Sequence, residues 1–188
     1  KHPKLIYSYI GISQIGNWPQ GENLSYQFTL EKAHELKNKR AINVLNKLGE
    51  PPFNWKKLIR QRQLLLKFGG SIYQQSNYKS LISKYIYSKE YNLIDLLKFP
   101  IGICFSLKYL WSEISKIDML FEVPEVHVPV CFIIGRHDYQ VPHECSVHYF
   151  NKLKASDKKI VWFDKSGHTP MFEEPDKFIE IIRKVLIN

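Results

Sequence analysis

The stretch from residue 128 to residue 168 reads VPVCFIIGRHDYQVPHECSVHYFNKLKASDKKIVWFDKSGH, and it decides the fold. It opens with an uninterrupted apolar run at residues 128–134 and reaches a second run at residues 160–163. Such runs are typical of strands that are covered on both faces in a parallel sheet. The carboxyl ends of parallel strands meet at one edge of the sheet, where ligands bind in open α/β folds. The sequence therefore predicts an α/β fold whose functional edge carries the residues that follow the two runs.

Two chemically active side chains lie shortly after these runs. Asp138 follows the first run, and His168 follows the second. An imidazole near its ordinary pKa can accept and return a proton at neutral pH if a neighbouring group fixes its tautomer. A carboxylate on the adjacent loop would do so, which predicts Asp138 and His168 as the acid and the base of a catalytic triad. The alternative is that Asp138 caps a turn and His168 is an ordinary loop histidine.

The loops that carry these residues resemble two motifs of the α/β-hydrolase family. GRHDYQVP at residues 135–142 looks like the acid loop, and SGHTPMFEEPDKF at residues 166–178 looks like the catalytic-histidine segment. The resemblance is to the capped, proline-iminopeptidase-like branch, and it is strong over the last third of the chain. It implies an α/β fold made of the C-terminal part of an α/β-hydrolase sheet, with about three parallel strands and a helical cap insertion.

The resemblance divides the chain into three parts. Residues 1–16 would hold one strand of the hydrolase core, residues 17–122 the helical cap, and residues 123–188 the C-terminal core with the acid and histidine loops. Within the cap, apolar residues recur at helical spacing. Pro100 predicts a break between a helix that includes residues 93–97 and an amphipathic helix over residues 103–117.

Three cap residues are candidates for substrate binding, because the cap of this branch roofs the active site. Trp18 and Trp111 are candidates to line the pocket, as are other cap aromatics. Glu22 is the candidate to recognise a substrate amine, as acidic cap residues do in aminopeptidases of this type. The alternatives are that the tryptophans belong to the hydrophobic core and that Glu22 stabilises the start of a helix.

The chain lacks the nucleophile that the resemblance implies. GISQIG at residues 11–16 approaches the Gly-x-Ser-x-Gly elbow, but Ile15 occupies the position of the last glycine. Ser13 is therefore interpreted as a strand-end residue that lines the site and not as the nucleophile. Because loss of a single oxyanion-hole donor already costs about 10²–10³ in turnover, the chain by itself is expected to be inactive.

These features favour the cap and C-terminal half of a serine hydrolase that cleaves peptide, amide or ester bonds of a small-molecule substrate. Two alternatives stay open. An upstream aspartate nucleophile would give an enzyme of the epoxide hydrolase or dehalogenase type. A non-catalytic relative would keep Asp138 and His168 and would bind a ligand.

The segment LIYSYI at residues 5–10 is rich in β-forming residues and is predicted to be a strand. In the family such a strand pairs with the strand of the nucleophile, which this chain does not contain. Because unpaired strand edges recruit other strands, we expect either that the chain self-associates through this edge or that an N-terminal half that would cover the edge has been removed from the polypeptide.

Composition argues against several other classes of protein. The hydrophobic share of 44% is too high for a disordered chain, and no apolar run approaches the ~18–20 residues of a membrane span. Residues 1–120 hold 18 Lys and Arg against 8 Asp and Glu, whereas residues 121–188 hold 9 against 10. We interpret the basic excess as a solvated cap surface, because no nucleic-acid-reading motif accompanies it. Neither nucleic acid nor a membrane is therefore expected as a partner.

The cysteines and histidines give no sign of a disulfide framework or a metal site. The three cysteines are Cys104, Cys131 and Cys145, and they lack CxxC spacing. We predict that they are reduced core residues of a cytoplasmic protein. The histidines show no metal-ligand spacing, so neither a metal nor a cofactor is expected.

Overall fold

The structure is a computed structural model that describes residues 2–187, with side chains described through residue 185. Lys1 and Asn188, the end positions of the predicted domains, lie outside the described residues. The strands are β1 (Tyr9–Ile12), β2 (Glu125–Val126), β3 (Val130–Gly135), β4 (Lys154–Ala155) and β5 (Lys158–Phe163). The helices are α1 (Trp18–Glu35), α2 (Lys39–Leu48), α3 (Trp55–Lys67), α4 (Lys79–Ile86), α5 (Leu93–Ile114), α6 (Met119–Glu122), α7 (His143–Lys152), α8 (Pro170–Glu173) and α9 (Pro175–Ile187).

β3 is the central strand of a three-stranded parallel sheet. Its neighbours are β1 on one side and β5 on the other, and the register aligns Tyr9 with Val130 and Val130 with Lys158. The short strands β2 and β4 form a separate parallel pair that the sequence did not predict. The prediction of an α/β fold with about three parallel strands is confirmed.

The two faces of β3 pack against different helices. Phe132 and Ile134 form a hydrophobic cluster with residues of α7, whereas Ile133 lies in a second cluster with residues of α9. Successive side chains of a strand point to opposite faces, so a strand covered on both faces needs apolar residues at every position. All six residues of β3 are buried. This double cover explains the uninterrupted apolar run in the sequence.

β1 begins later in the chain than the sequence predicted. Residues Pro3–Leu5 form a 3₁₀ turn, and the side chain of Leu5 is 85% exposed. Pairing starts where the N–H of Tyr9 donates to the carbonyl of Pro129 at 2.8 Å. Because β3 begins only at Val130, the residues before Tyr9 have no partner strand among residues 2–187. The predicted strand over residues 5–10 is therefore wrong in its boundaries.

A helical insertion (residues 17–122) lies between β1 and the other strands along the chain, although β1 and β3 are neighbours in the sheet. Asparagine side chains start its first three helices: Asn17, Asn38 and Asn54 each accept a hydrogen bond from a backbone N–H of the following turn. The first three helices and α5 then enclose a hydrophobic core. Its buried members are Tyr26, Ala33, Ala41, Leu45, Phe53, Leu58 and Trp111.

α5 is a single helix, although Pro100 lies inside it. The predicted break at Pro100 is therefore wrong. The fixed φ of proline is itself helical, and its missing N–H removes only one backbone hydrogen bond from the helix. The predicted amphipathic face is only partly buried: Trp111 is in the core, whereas Ile103 and Leu110 are 43% and 53% exposed. Among residues 2–187, no helix is both long enough and apolar enough to cross a membrane.

The three cysteines lie in different environments. Cys131 in β3 and Cys145 in α7 are buried, and burial raises the pKa of the Cys145 thiol to about 11. Cys104 lies on α5 and is exposed. The prediction of three core cysteines is therefore wrong for Cys104, because this part of α5 is turned to solvent.

Candidate active site

Asp138 lies in a tight turn just beyond β3. Its side chain is almost fully buried, with 1% exposed. Oδ1 accepts hydrogen bonds from the backbone N–H groups of Gln140 and Val141, at 2.9 and 2.8 Å. Such a turn, in which an aspartate side chain binds the backbone that follows it, fixes the carboxylate. The second oxygen, Oδ2, stays available for the histidine loop.

His168 lies in the loop beyond β5, and its backbone is held on both sides. Its N–H donates to the carbonyl of Ser71 at 2.8 Å, and its carbonyl accepts from the hydroxyl of Ser13 at 3.1 Å. The ring nitrogen Nδ1 is 2.9 Å from Oδ2 of Asp138. The structure thus brings together the two side chains that the sequence placed at one edge of the sheet. This contact places the proton on Nδ1 and leaves Nε2 as the nitrogen that can act as a base.

Opposing effects set the pKa of His168. Burial lowers the pKa, because it disfavours the charged imidazolium. The charge and the hydrogen bond of Asp138 raise it, Arg62 lowers it, and Glu173 raises it. The net result is a pKa above the ordinary value of 6.5, so the ring is a stronger base than a free histidine.

Two glycines allow the loops around the pair to approach each other closely. A Cβ atom at Gly135 would lie 2.0 Å from the backbone oxygen of Gly167, and one at Gly167 would lie 2.6 Å from the backbone oxygen of Ser71. The acid and histidine loops are also joined by a hydrogen bond from the N–H of His137 to the carbonyl of Ser166, at 3.0 Å. The position of Asp138 relative to His168 therefore depends on direct backbone packing.

Comparison with known proteins supports the same architecture. No family model matches the chain. The probable aminopeptidase YbaC of Bacillus subtilis (strain 168) is 31% identical over 191 residues, which cover 98% of this chain and 58% of YbaC. MGS-M2, an α/β-hydrolase enzyme from a deep-sea metagenome library, matches 100% of this chain and 58% of its own, with a TM-score of 0.57 and 12% identity. The chain is part of an α/β-hydrolase fold.

A second solved structure matches the chain over a similar length. The proline iminopeptidase-related protein TTHA1809 from Thermus thermophilus matches 98% of this chain and 56% of its own, with a TM-score of 0.56 and 14% identity. The chain thus spans less than two thirds of the length of these proteins. At such low identity the two solved structures show the fold alone.

The helical insertion of the hydrolase fold lies directly on the acid loop. The N–H of Tyr139 donates to the carbonyl of Gly70 at 2.9 Å. The ring of Phe28 in α1 stacks on the ring of Tyr139, with centroids 3.6 Å apart and planes 9° apart. The insertion therefore contacts the residue that immediately follows Asp138.

Glu22 is buried in the insertion and is paired with Arg62, so α1 and α3 are joined by an ion pair. Oε1 of Glu22 contacts the guanidinium, whereas Oε2 has no hydrogen-bond partner among the described residues. Burial raises the pKa of Glu22 above its ordinary value, and the charge of Arg62 opposes that rise. The guanidinium also donates to the hydroxyl of Ser25 at 3.2 Å. The result is a carboxylate of fixed orientation with one oxygen that no described residue binds.

Trp18 and Trp111 pack against each other in the insertion, edge to face, with ring centroids 5.4 Å apart. Trp111 is buried, and its Nε1–H donates to the carbonyl of Phe53 at 2.7 Å. Trp18 is half-buried at the start of α1 and packs against the same hydrophobic core. The structure places both rings in or against this core, and their role in substrate binding stays a prediction.

Ser13 directly follows β1 and has a left-handed conformation, with φ of 47°. Its hydroxyl donates to the backbone carbonyl of His168 and so is engaged with the main chain of the histidine loop. This contact ties the end of β1 to the loop that carries the base. It fits the interpretation of Ser13 as a strand-end residue of the site.

Two residues that influence His168 were not identified from the sequence. Arg62 shares the buried side of α3 with Leu58 and Leu65, at helical spacing. A charge on a buried helix face requires a partner, so this spacing could have indicated an ion pair, although not which residue Arg62 pairs with. Glu173 lies inside the SGHTPMFEEPDKF segment, five positions after His168, but nothing in the spacing indicated what it binds.

The other histidines near the acid loop do not gather into a metal site. The ring of His137 stacks on Tyr73, with centroids 4.3 Å apart, and the ring of His143 packs edge-on against Trp162. In the part of the chain that the structure describes, no group of three or more His, Cys, Asp or Glu side chains is arranged to hold a metal ion.

Proposed function

We propose that this chain forms the cap and the base-bearing part of a capped serine hydrolase that acts on peptide, amide or ester bonds. The observation that carries the proposal is the 2.9 Å contact between His168 Nδ1 and Asp138 Oδ2 at the carboxyl edge of the sheet. A buried carboxylate that also accepts two backbone hydrogen bonds is fixed in place, so it fixes the imidazole in turn. The proposal assigns the serine nucleophile and the oxyanion hole to residues other than these 188.

The proposed reaction has two stages. In the first, the serine oxygen attacks the substrate carbonyl while His168 Nε2 takes the hydroxyl proton, and Asp138 stabilises the imidazolium. His168 then gives this proton to the departing amine or alcohol as the C–N or C–O bond breaks, which leaves an acyl-enzyme. In the second stage, Nε2 takes a proton from a water molecule while the oxygen of that water attacks the acyl carbon. The proton passes to the serine oxygen as the acid product leaves.

A fluorophosphonate probe tests the proposed class of enzyme. Such a probe phosphonylates a serine whose oxygen is activated by a neighbouring base, and fluoride leaves. We expect the full-length protein to be labelled, and we expect the His168→Ala variant to be labelled at least about a hundredfold more slowly. A protein that is not labelled but opens epoxides or removes halide would have an aspartate nucleophile. A protein with neither reactivity would be a ligand-binding relative.

Two observations support an aminopeptidase-like substrate. The relative YbaC is named a probable aminopeptidase. The insertion also holds a buried carboxylate oxygen, Oε2 of Glu22, that has no partner among the described residues. A substrate ammonium that donates to this oxygen would satisfy it with a charge-assisted hydrogen bond. Because Arg62 already pairs with Oε1, the carboxylate is oriented before the substrate binds.

Replacing Glu22 with Gln is expected to lower kcat/KM for aminoacyl amides by about 10–100-fold, because the ammonium loses its charged acceptor. The measurement is the ratio of this value to kcat/KM for a short acyl ester that carries no amine. The ester serves as an internal reference, since it has no ammonium to bind. Glu31→Gln, at an exposed position of the same helix, is the control and should leave the ratio unchanged. An equal loss on both substrates would count against amine recognition by Glu22.

The open edge of β1 leads to a second proposal, that the 188-residue polypeptide self-associates. The N–H groups of Tyr9 and Ser13 donate to the β3 side. Because N–H groups alternate along a strand, those of Ile10 and Ile12 point away from β3. No strand lies on that side among residues 2–187. The edge can therefore pair with the same edge of another copy.

Light scattering after size-exclusion chromatography measures this association. We expect a mass of at least two chains for the polypeptide. Ile10→Pro should shift the mass toward one chain relative to Ile10→Ala, because both remove the side chain but only proline removes the outward N–H. A monomeric wild-type polypeptide would contradict the proposal. Equal masses for the two variants would place the contact elsewhere on the surface.

A further inference from the structure

Glu173, at the end of α8, accepts hydrogen bonds from both neighbours of His168. The N–H of Gly167 lies 3.1 and 3.0 Å from its two carboxylate oxygens. The N–H and the hydroxyl of Thr169 each donate to Oε1, at 3.0 Å. Hydrogen bonds to a charged acceptor are stronger than neutral ones. One carboxylate thus holds the backbone immediately before and immediately after the proposed base.

The same carboxylate also binds the helical insertion. The N–H of Tyr73 donates to Oε2 of Glu173 at 2.7 Å. Tyr73 belongs to the clasp segment (residues 70–73), which lies between α3 and α4. The carbonyl of Ser71 in this segment accepts the N–H of His168 at 2.8 Å. The clasp segment is therefore bonded to His168 directly and, through Glu173, to the residues on either side of it.

We propose that Glu173 is a positioning residue that couples the placement of the helical insertion to the placement of His168. A displacement of the clasp segment moves the Tyr73 N–H away from the carboxylate. The carboxylate then either follows, and disturbs the amides that flank His168, or loses a strong hydrogen bond. The effect of Glu173 on turnover rests on the proposed function, whereas the coupling itself does not.

Glu174 is a matched control, because it is the next residue and also binds the histidine loop. Its Oε2 accepts from the N–H of Lys165 at 2.9 Å and from the hydroxyl of Ser166 at 2.7 Å. These contacts involve neither the two neighbours of His168 nor the clasp segment. Glu173→Gln and Glu174→Gln each remove one negative charge from the same end of the loop. A difference between them therefore reports the specific contacts of Glu173.

Nuclear magnetic resonance on the full-length protein measures both consequences. For Glu173→Gln we expect the amides of Tyr73, Gly167 and Thr169 to exchange with solvent at least about tenfold faster, because a neutral amide oxygen is a weaker acceptor. The loss of charge should also lower the pKa of His168, which the charge of Glu173 raises. Loss of loop order alone would expose His168 and so would raise its pKa, provided that Asp138 stays in contact, because burial lowers that pKa. For Glu174→Gln we expect neither change.

The proposal is overturned if the Tyr73 amide keeps its wild-type exchange rate in Glu173→Gln, or if Glu174→Gln reproduces both changes. If Glu173→Gln does not fold, Glu173→Asp replaces it, because it keeps the charge and shortens the reach by one methylene. For this variant we expect faster exchange at the same three amides with a smaller change in the pKa of His168, and wild-type exchange would again overturn the proposal. If the coupling is found and the full-length protein hydrolyses no substrate, only the proposed function fails.

Discussion

Replacing Asp138 with Asn is expected to lower kcat/KM of the full-length protein by about 10³–10⁴-fold without unfolding it. The cause is the tautomer of His168. The carboxylate accepts the proton of Nδ1 and leaves Nε2 free to act as a base. An amide in its place donates its own N–H to Nδ1 and so shifts the ring proton to Nε2, where it blocks base catalysis. The measurement is steady-state hydrolysis of a short acyl ester, which carries no amine and so is independent of the proposed role of Glu22.

The same substitution is expected to change the pH dependence of the reaction. His168 must be neutral to accept a proton, so wild-type kcat/KM should rise as the pH passes the pKa of His168, which lies above 6.5. The charge and hydrogen bond of Asp138 raise that pKa, against the effect of burial. In Asp138→Asn both contributions are lost, so the rising limb of the residual activity should move to lower pH.

Asp164→Asn is the control for these measurements. Asp164 lies at the exposed rim of the same edge, where it accepts from the guanidinium of Arg136 at 2.6 Å. Because exposed ion pairs contribute little, we expect less than about a threefold change in kcat/KM. A loss of less than about tenfold in Asp138→Asn would show that His168 does not depend on Asp138, and the proposed triad would then be wrong.

The part of the fold that could be predicted from the sequence depends on the local pattern of apolar and polar residues. The apolar run of β3 is covered on both faces, as its unbroken hydrophobic character predicted. Asp138 and His168 follow strands that are parallel neighbours, so strand order alone was enough to place them at one edge. This prediction needed no side-chain contacts, because the carboxyl ends of parallel strands always lie at the same edge of the sheet.

The parts that could not be predicted depend on contacts between distant residues. Glu22 pairs with Arg62, which lies forty positions later, and Tyr73 donates a hydrogen bond to Glu173, which lies one hundred positions later. No spacing rule connects such pairs, because the first distance is set by the packing of α1 on α3 and the second by the packing of the insertion on the segment that carries Glu173. The exposure of Cys104 has the same origin: helical spacing predicts that α5 has an apolar face, but not that another element covers it.

Replacing Gly135 with Ala is expected to destabilise the folded chain by about 3 kcal/mol or more. The added Cβ would lie 2.0 Å from the oxygen of Gly167 and 2.6 Å from that of Ser166, both of which belong to the backbone. A flexible side chain could rotate away from such a contact, but here the two loops themselves must separate. Urea denaturation measures the loss. In the folded fraction, weaker contact with Asp138 should also lower the pKa of His168, observed by nuclear magnetic resonance.

Gly102→Ala separates this effect from the general effect of replacing glycine. Gly102 lies inside α5, and an added Cβ would meet no atom within 4 Å. Alanine restricts the unfolded chain and favours helix, so this variant is expected to be more stable than wild type by about 0.5–1 kcal/mol. The two substitutions add the same methyl group and are expected to act in opposite directions. If Gly135→Ala instead matched Gly102→Ala, the acid and histidine loops would not be in backbone contact, and the close approach that holds Asp138 against His168 would have to arise in another way.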